Sequence, residues 1–457
     1  MAYIGNQPTE SFTSFATQEF STSATTSYTL DHAVTNENEI ALFVNNVRQQ
    51  PGSGKAYTAT GTALTLSAAT ASTDTMYCVF LGRALQTVTP VTNSITNAML
   101  SENSQSQIFN NNFRNIVING DMSIAQRGTS ASSLTGSSYE TVDRFKQEIS
   151  SQGTWTQSQS TDVPTGQGFA TSLKMDCTTA DASPGASDYI YITQKIEGQN
   201  LQYLKKGTSS AESTTLSFWV KSNKTGTYIA RLRDADNTRS TSKSYTISSA
   251  DTWEKKTITF DGDTTGALTN DNGTSLQLYF WLGAGSNYTS GTLATSWESN
   301  TSANNAVGQV NLADSTSNEW YVTGVQLEVG TTATNFEFLP VDVNLKKCQR
   351  YYYRINPNGT SGSIGAAAYY TSSAVFTMLE FPTSMRTNPS LESATGTNYY
   401  NVNRNSDNDE FNDFSLNTSN IDSAHLYTDS NVSSTAGHAG RTRFNSASGY
   451  VAFSAEL

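Results

Sequence analysis

Charge is scarce in this sequence: Asp, Glu, Lys and Arg together make up 14% of its 457 residues, against about 25% in an ordinary soluble domain. With so little Lys and Glu there are few strong helix formers for exposed faces, so a helix-rich architecture is disfavoured. Cysteine is nearly missing. Cys78, Cys177 and Cys348 are widely separated and form no CxxC, which excludes a disulfide framework and a thiolate zinc site and leaves buried free thiols as the expectation. Histidine is equally rare, and His32, His425 and His438 have no ligand spacing among them, so no metal site is read from them. No apolar run approaches the roughly 18 residues of a membrane span, and the opening MAYIGNQPTE carries neither the basic nor the apolar part of a signal peptide. Neither membrane insertion nor classical secretion is expected. A net charge of −12, with no basic run longer than two residues, disfavours nucleic acid as a partner, because a phosphate backbone needs a positive stripe. There is no P-loop, no GxSxG elbow and no internal repeat of a solenoid period.

What is present favours strands. Aromatic residues are 11% of the chain, and Thr, Tyr, Phe and Val fit a pleated surface while Gly, Asn, Asp and Ser fit the turns between strands. The fold class read from this is all-β, in roughly three domains for this length. Thr29–Leu30, Glu39–Val44, Thr62–Leu66 and Thr75–Leu81 read as strands of a small N-terminal sandwich, with Asn45–Asn46 as a tight turn. Thr92 to Phe113 is the one helical pattern, with Ile95, Met99, Phe109 and Phe113 at three-to-four spacing. Further strands are expected at Leu216–Lys221, Tyr228–Arg233, Trp253–Phe260, Leu276–Leu282 and Trp320–Glu328.

Three sets of motifs carry a family resemblance. YTLDHAVTNENEIALFVNNVRQQ and AYTATGTALTL resemble a module near the N-terminus of many bacteriophage tail-fibre proteins. NIVINGDMSIAQRGTS, then YETVDRFK, resembles the opening of a large β-sandwich of such fibres, with Met122 and Ala125 where aromatic residues are usual. Its close, VTGVQLEVGTTATNFEFLP, is similar to the end of jelly rolls of the carbohydrate-binding-module type. KKCQRYYYRIN, FPTSMRTNPSL and the final GYVAFSAEL resemble the C-terminal domain of the same fibres. The resemblance implies an N-terminal tail-attachment sandwich (1–90), a helical neck (91–118), a jelly roll (119–343) and a distal receptor-binding β domain (344–457). It also implies an elongated homotrimer in the virion, assembled in the host cytoplasm, with phage tail proteins and host surface polysaccharide or lipopolysaccharide as partners.

Candidate sites follow from strand alternation, which sends successive side chains to opposite faces. Leu216, Phe218, Val220, Leu276, Leu278, Phe280 and Leu282 point inward. If the strands share a sheet, its outer face carries Trp219, Arg231, Arg233, Gln277, Tyr279 and Trp281. Flat aromatics among polar hydrogen-bonders suit a pyranose ring, and they equally suit a subunit interface or a covering loop. Tyr399, Tyr400, His425 and Tyr427 lie in Asn/Ser-rich text and are candidates for the distal tip. Asp407, Asp409 and Glu410 in SDNDEFND read as a solvated loop, with Ca²⁺ the one cofactor that such oxygens could hold. No catalytic residue is assigned. The sequence therefore points to a non-enzymatic tail fibre adhering to host glycan. A structural tail connector without host contact and a polysaccharide-degrading spike are the alternatives.

Overall fold

The computed structural model describes residues 15–81, 113–405 and 407–457. The chain divides into two compact units, residues 1–105 and 106–457. In the first, Thr17–Phe20, Met76–Phe80, Ile40–Val44 and Val47–Arg48 form a sheet in that order, and Ser27–Val34 pairs with Tyr57–Leu66. Alternate residues of these strands, among them Leu30, Ile40, Leu42, Leu64 and Cys78, close a small core between the two sheets. Asn45 and Asn46 stand at φ 52° and 63°, the left-handed pair that matches the twist of a two-residue hairpin. Each strand expected in this region is present.

The helix expected over 92–113 lies outside the described residues except for Phe113, which sits in a left-handed turn at φ 64°. Residues 114–118, the end of the expected neck, are non-helical, and Ile116 and Val117 are buried in the core of the following sandwich. Glu337 holds them there by accepting the amides of Phe113 and Asn115.

The second unit is built on a large antiparallel sandwich. One sheet orders Glu254–Phe260, Thr214–Ser222, Glu319–Val329, Ser172–Thr179, Thr154–Ser160 and Ser130–Leu134. The other orders Glu298–Ser299, Arg239–Ile247, Gly226–Asp234, Thr274–Ala284, Tyr189–Glu197, Lys146–Ser150 and Ser138–Tyr139. All five strands expected here are observed. Leu216, Phe218 and Val220 from the first sheet meet Leu278, Phe280 and Leu282 from the second, and the Phe218 and Phe280 rings pack edge-on at 5.0 Å. Cys177 is buried in this core, and all three cysteines are free and buried.

A distal module follows, with a seven-stranded sheet running from Asp407–Phe411 through Tyr400–Arg404, Ala439–Phe444, Ser363–Thr371, Ala374–Glu380 and Ser423–Thr428 to Ser415–Ser419. A three-stranded sheet of Tyr352–Ile355, Val451–Ser454 and Ser390–Ser393 accompanies it. The module is entered by a helix, Val341–Gln349, that the sequence reading did not foresee. Its buried residues are Asn344 and Cys348, so no apolar stripe announces it. Pro340 precedes its first turn, and Asp342 and Lys346–Lys347 suit the two ends of its dipole.

Sandwich and distal module are joined by buried charge. Arg144 is wholly buried; it pairs with Glu456, donates to the Lys195 carbonyl at 2.7 Å and lies 3.5 Å over the Tyr351 ring. Arg350 makes a bidentate pair with Glu197 at 2.8 Å, and the Tyr351 hydroxyl donates to the same carboxylate. Gln126 bridges Asp143 to the Tyr352 carbonyl, and Asn344 reaches Asp121 and Ser123.

Arg144→Ala leaves Glu456 without one of its two arginine partners in a buried setting and is expected to cost about 3–5 kcal/mol. Calorimetry should show a lower and broader transition as the distal module uncouples. Acid should act at Glu197. Burial raises its pKa, but the bonds from Arg350 and Tyr351 outweigh burial and hold the carboxyl below its ordinary 4.5. Its stabilisation is therefore complete above pH 4.5 and lost as pH falls through the depressed value. Asp143 runs the opposite way: burial pushes it up to about 6, so its protonation on acidification stabilises. In a pH series of melting temperatures, Glu197→Gln should flatten the loss below pH 4.5 and leave the Asp143 region unchanged.

Candidate functional site

The outer aromatic face expected on one sheet is divided between two. Trp219 lies on the six-stranded sheet, whereas Arg231, Arg233, Gln277, Tyr279 and Trp281 lie on the seven-stranded one, on the opposite side of the sandwich. The inward and outward assignments were right, since Tyr228, Ala230 and Leu232 do face the core. The sheet assignment was not, because residues 223–225 cross from one sheet to the other instead of forming a hairpin. Alternation fixes which face a residue takes and is silent on which sheet it joins.

On the seven-stranded sheet the aromatic face is covered. Residues 285–311 fold back over it, placing Tyr288 5.5 Å from the Trp281 ring, Asn300 on the Arg231 guanidinium at 2.5 Å and the Gln309 side chain on the Ile229 amide. Trp281 is left 2% exposed and Tyr279 7%. Arg231 lies 4.8 Å over the Tyr279 ring, and Arg233 and the Tyr279 hydroxyl both donate to Gln277. Burial lowers Arg231 to about 10 and raises the Tyr279 phenol. This is the covering-loop alternative: Arg231, Gln277, Tyr279 and Trp281 are buried beneath it, and Arg233 alone of the five keeps part of its surface open.

Trp219 has the opposite fate. It is half-buried on the wall of a cleft of about 320 Å³ over the six-stranded sheet. The cleft's other walls are Phe169, Phe336 and Phe338, three rings packed 4.9–5.2 Å from one another. Gln167, Ser217, Thr334 and Asn335 supply amides and hydroxyls, and Lys255 stands at the rim. The cleft depends on a bulge. Ser217 pairs with Gln326 and Trp219 with Thr323, so the partner strand carries an extra residue between them. Gly324 occupies the bulge at φ +62°, and a Cβ there would lie 2.6 Å from the Phe169 ring. The glycine thus lets the tip of the Phe169 ring close on the strand backbone, where Phe336 and Phe338 of the NFEFLP segment pack against it. Asn335 and Thr334 are fixed from below by Arg114 and Glu328.

The same sheet face continues as a tied-down surface. Asp162 accepts from Lys221 and, at 2.9 Å, from the Trp253 indole, while Lys221 lies 4.3 Å over the Tyr321 ring. Burial raises Tyr321 to about 12. The sequence reading missed Phe169, Phe336 and Phe338, which lie outside every strand, so alternation could not place them. The available signal was Gly324 inside an otherwise continuous strand pattern, which marks a bulge or a close approach.

The distal candidates separate as well. Tyr400 is a core residue whose hydroxyl donates to the carbonyls of Ala394 and Tyr450, and Tyr399 packs beside that core. Tyr400 therefore offers no open surface, whereas Tyr399 is only partly buried. His425 and Tyr427 lie on a strand, Ser423–Thr428, not in a loop. Tyr427 extends an aromatic row with Phe376 at 5.5 Å and Tyr370, which is 69% exposed. The acidic run is also strand, Asp407–Phe411. Asp409 takes bonds from Tyr369, Arg404 and the Ser433 amide, and Glu410 from Asn398 and Asn445. Among the described residues no group of three or more Asp, Glu, His or Cys is placed to hold a metal.

No protein-family model matches the chain, and no curated protein matches it in sequence. Solved structures are similar over part of the chain at low identity. An enzymatically active domain of bacteriophage CBA120 tailspike protein 4 is 16% identical over 48% of this chain, with a TM-score of 0.25, and the chain spans 22% of that protein's length. The module TmCBM61, solved with β-1,4-galactotriose, is 8% identical over 48% of this chain and 99% of its own, with a TM-score of 0.26. The C-terminal family 22 carbohydrate-binding module of Clostridium thermocellum Xyn10B is 12% identical over 42% and 90%, with a TM-score of 0.23.

Gly324→Ala places a methyl group against Phe169 on a left-handed backbone. It is expected to cost roughly 2–5 kcal/mol from strain and overpacking together and to displace Phe169 from the cleft. A thermal melt checks the first, and a change in near-ultraviolet circular dichroism from the phenylalanine cluster checks the second.

Proposed function

We propose that this chain is a non-enzymatic adhesin of bacteriophage tail-fibre type that grips host surface glycan in the Trp219 cleft. The observation that carries the reading is the cleft's composition. A half-exposed indole and two accessible phenylalanines stand among neutral amides and hydroxyls, and the lining contains no carboxylate. The C–H faces of a pyranose stack on flat aromatic surfaces, while Gln167, Ser217, Thr334 and Asn335 offer donors and acceptors to its hydroxyls. Hydrolysis of a glycosidic bond ordinarily needs two carboxyls facing each other across the sugar, so a lining without one favours holding over cleaving.

The motif resemblance supplies the rest of the reading. The N-terminal sandwich would attach to the phage tail, and the chain would act as a homotrimer in the virion. Three copies raise avidity through effective concentration, so a modest affinity per cleft still gives firm attachment. Stacking and neutral hydrogen bonds lose less to salt than exposed ion pairs do.

Trp219→Ala tests this directly. Aromatic anchors in binding pockets commonly contribute about 2 kcal/mol or more, so retention on host polysaccharide should fall at least about tenfold with the oligomeric state unchanged. Unchanged retention, or release of reducing ends by the wild-type protein, would overturn the reading.

A further inference from the structure

Resting on the glycan reading of the Trp219 cleft, we propose that the saccharide it takes is acidic, a polymer with carboxylate-bearing sugars, and that Lys255 recognises the carboxylate. Lys255 is the one ionisable side chain in the cleft lining. It faces Trp219 directly across the strand pair, Thr214–Ser222 against Glu254–Phe260. Side chains so paired have Cβ atoms about 5 Å apart. The four-carbon stem of Lys255 therefore brings its ammonium to the edge of any ring stacked on the indole.

The neighbouring cations of the same sheet face are engaged. Lys221 is paired with Asp162, and Lys174 with Glu319 at 2.6 Å. Lys256, the next residue in the chain, stands opposite Phe218 on the other face of the sheet and is paired with Glu254 at 2.5 Å. Lys255 is exposed and has no hydrogen bond, ion pair or ring contact among the described residues. The nearby carboxylates are committed as well, since Glu337 accepts backbone amides and Glu328 accepts from Thr334 and pairs with Arg114. In a chain of net charge −12, an unneutralised ammonium beside the half-buried tryptophan of the cleft is a counter-charge awaiting an anion. A sugar carboxylate fits it better than a neutral hydroxyl, because a charge-assisted bond is the stronger of the two. An amphipathic partner with an apolar face and an anionic edge matches both residues at once.

The test uses the full chain on a panel of acidic polysaccharides (hyaluronan, alginate, polygalacturonate, xanthan), each beside its carboxyl-reduced form. The wild-type protein should be retained by at least one acidic polymer, about five- to tenfold more tightly than by the reduced partner. Raising salt should erase most of that margin. Lys255→Gln should lower affinity for the acidic form to the level of the reduced one and leave the reduced form unaffected. Equal binding of acidic and reduced forms, or full binding by Lys255→Gln, overturns the acidic assignment while a loss in Trp219→Ala leaves the glycan reading standing. No retention of the wild-type protein on any member, acidic or neutral, counts against both.

Discussion

A buried guanidinium organises the larger unit. Arg144 has no exposed surface, and it reaches distant parts of the chain: Glu456 and Tyr351 in the distal module, and the Lys195 carbonyl in the seven-stranded sheet. A charge taken out of water is tolerable only where its partners are fixed, and those partners must approach from defined directions. The pair therefore acts less as glue than as a constraint on orientation. With Arg350 on Glu197 and Gln126 between Asp143 and Tyr352, it fixes how the distal module sits on the sandwich.

This junction also gives the sequence motifs a physical meaning. The VDRF, CQRYYY and terminal SAEL segments lie far apart in the chain, yet Asp143, Arg144, Arg350, Tyr351, Tyr352 and Glu456 meet at one place. The NGDMSIAQRG segment joins them through Asn119, Gln126 and Arg127, the last stacked 3.5 Å over Tyr352. The most recognisable words in the sequence are thus assembly residues. The Trp219 cleft draws on one further motif, the closing VTGVQLEVGTTATNFEFLP, which supplies Gly324 and the Asn-Phe-Glu-Phe segment.

Such long-range meetings set how far the sequence could be read. Period-2 alternation located the strands of both sandwiches and sorted Leu216, Phe218 and Val220 from Trp219 correctly, because burial on one face leaves a strict pattern. It could not tell that Trp219 and Trp281 lie on opposite sides of the sandwich, since the crossing at residues 223–225 looks like any short turn. Nor could it show that 285–311 covers Trp281, a long-range contact with no local signature. The helix at Val341–Gln349 escaped because it buries Asn344 and Cys348 instead of an apolar stripe. In the distal module, tyrosines in Asn-rich text were read as loop residues, whereas Tyr400 supplies core and Tyr427 a strand face.

The distribution of charge ties these findings together. A chain with few ionisable groups places several of them inside: Arg144 with Glu456, Glu197 with Arg350, and Lys206 between Asp234 and Asp263 at 2.5 and 2.8 Å. Buried pairs contribute little net stability compared with well-packed apolar groups, but breaking one is costly, so they penalise every alternative arrangement of the parts they connect. Electrostatics here thus specifies how modules meet. The Trp219 cleft is built on other terms, from packed rings and neutral side chains with Lys255 as its one ionisable group. A cleft built on those terms has to be held open by backbone geometry, and the bulge at Gly324 supplies that geometry, because a side chain there would push Phe169 off the sheet.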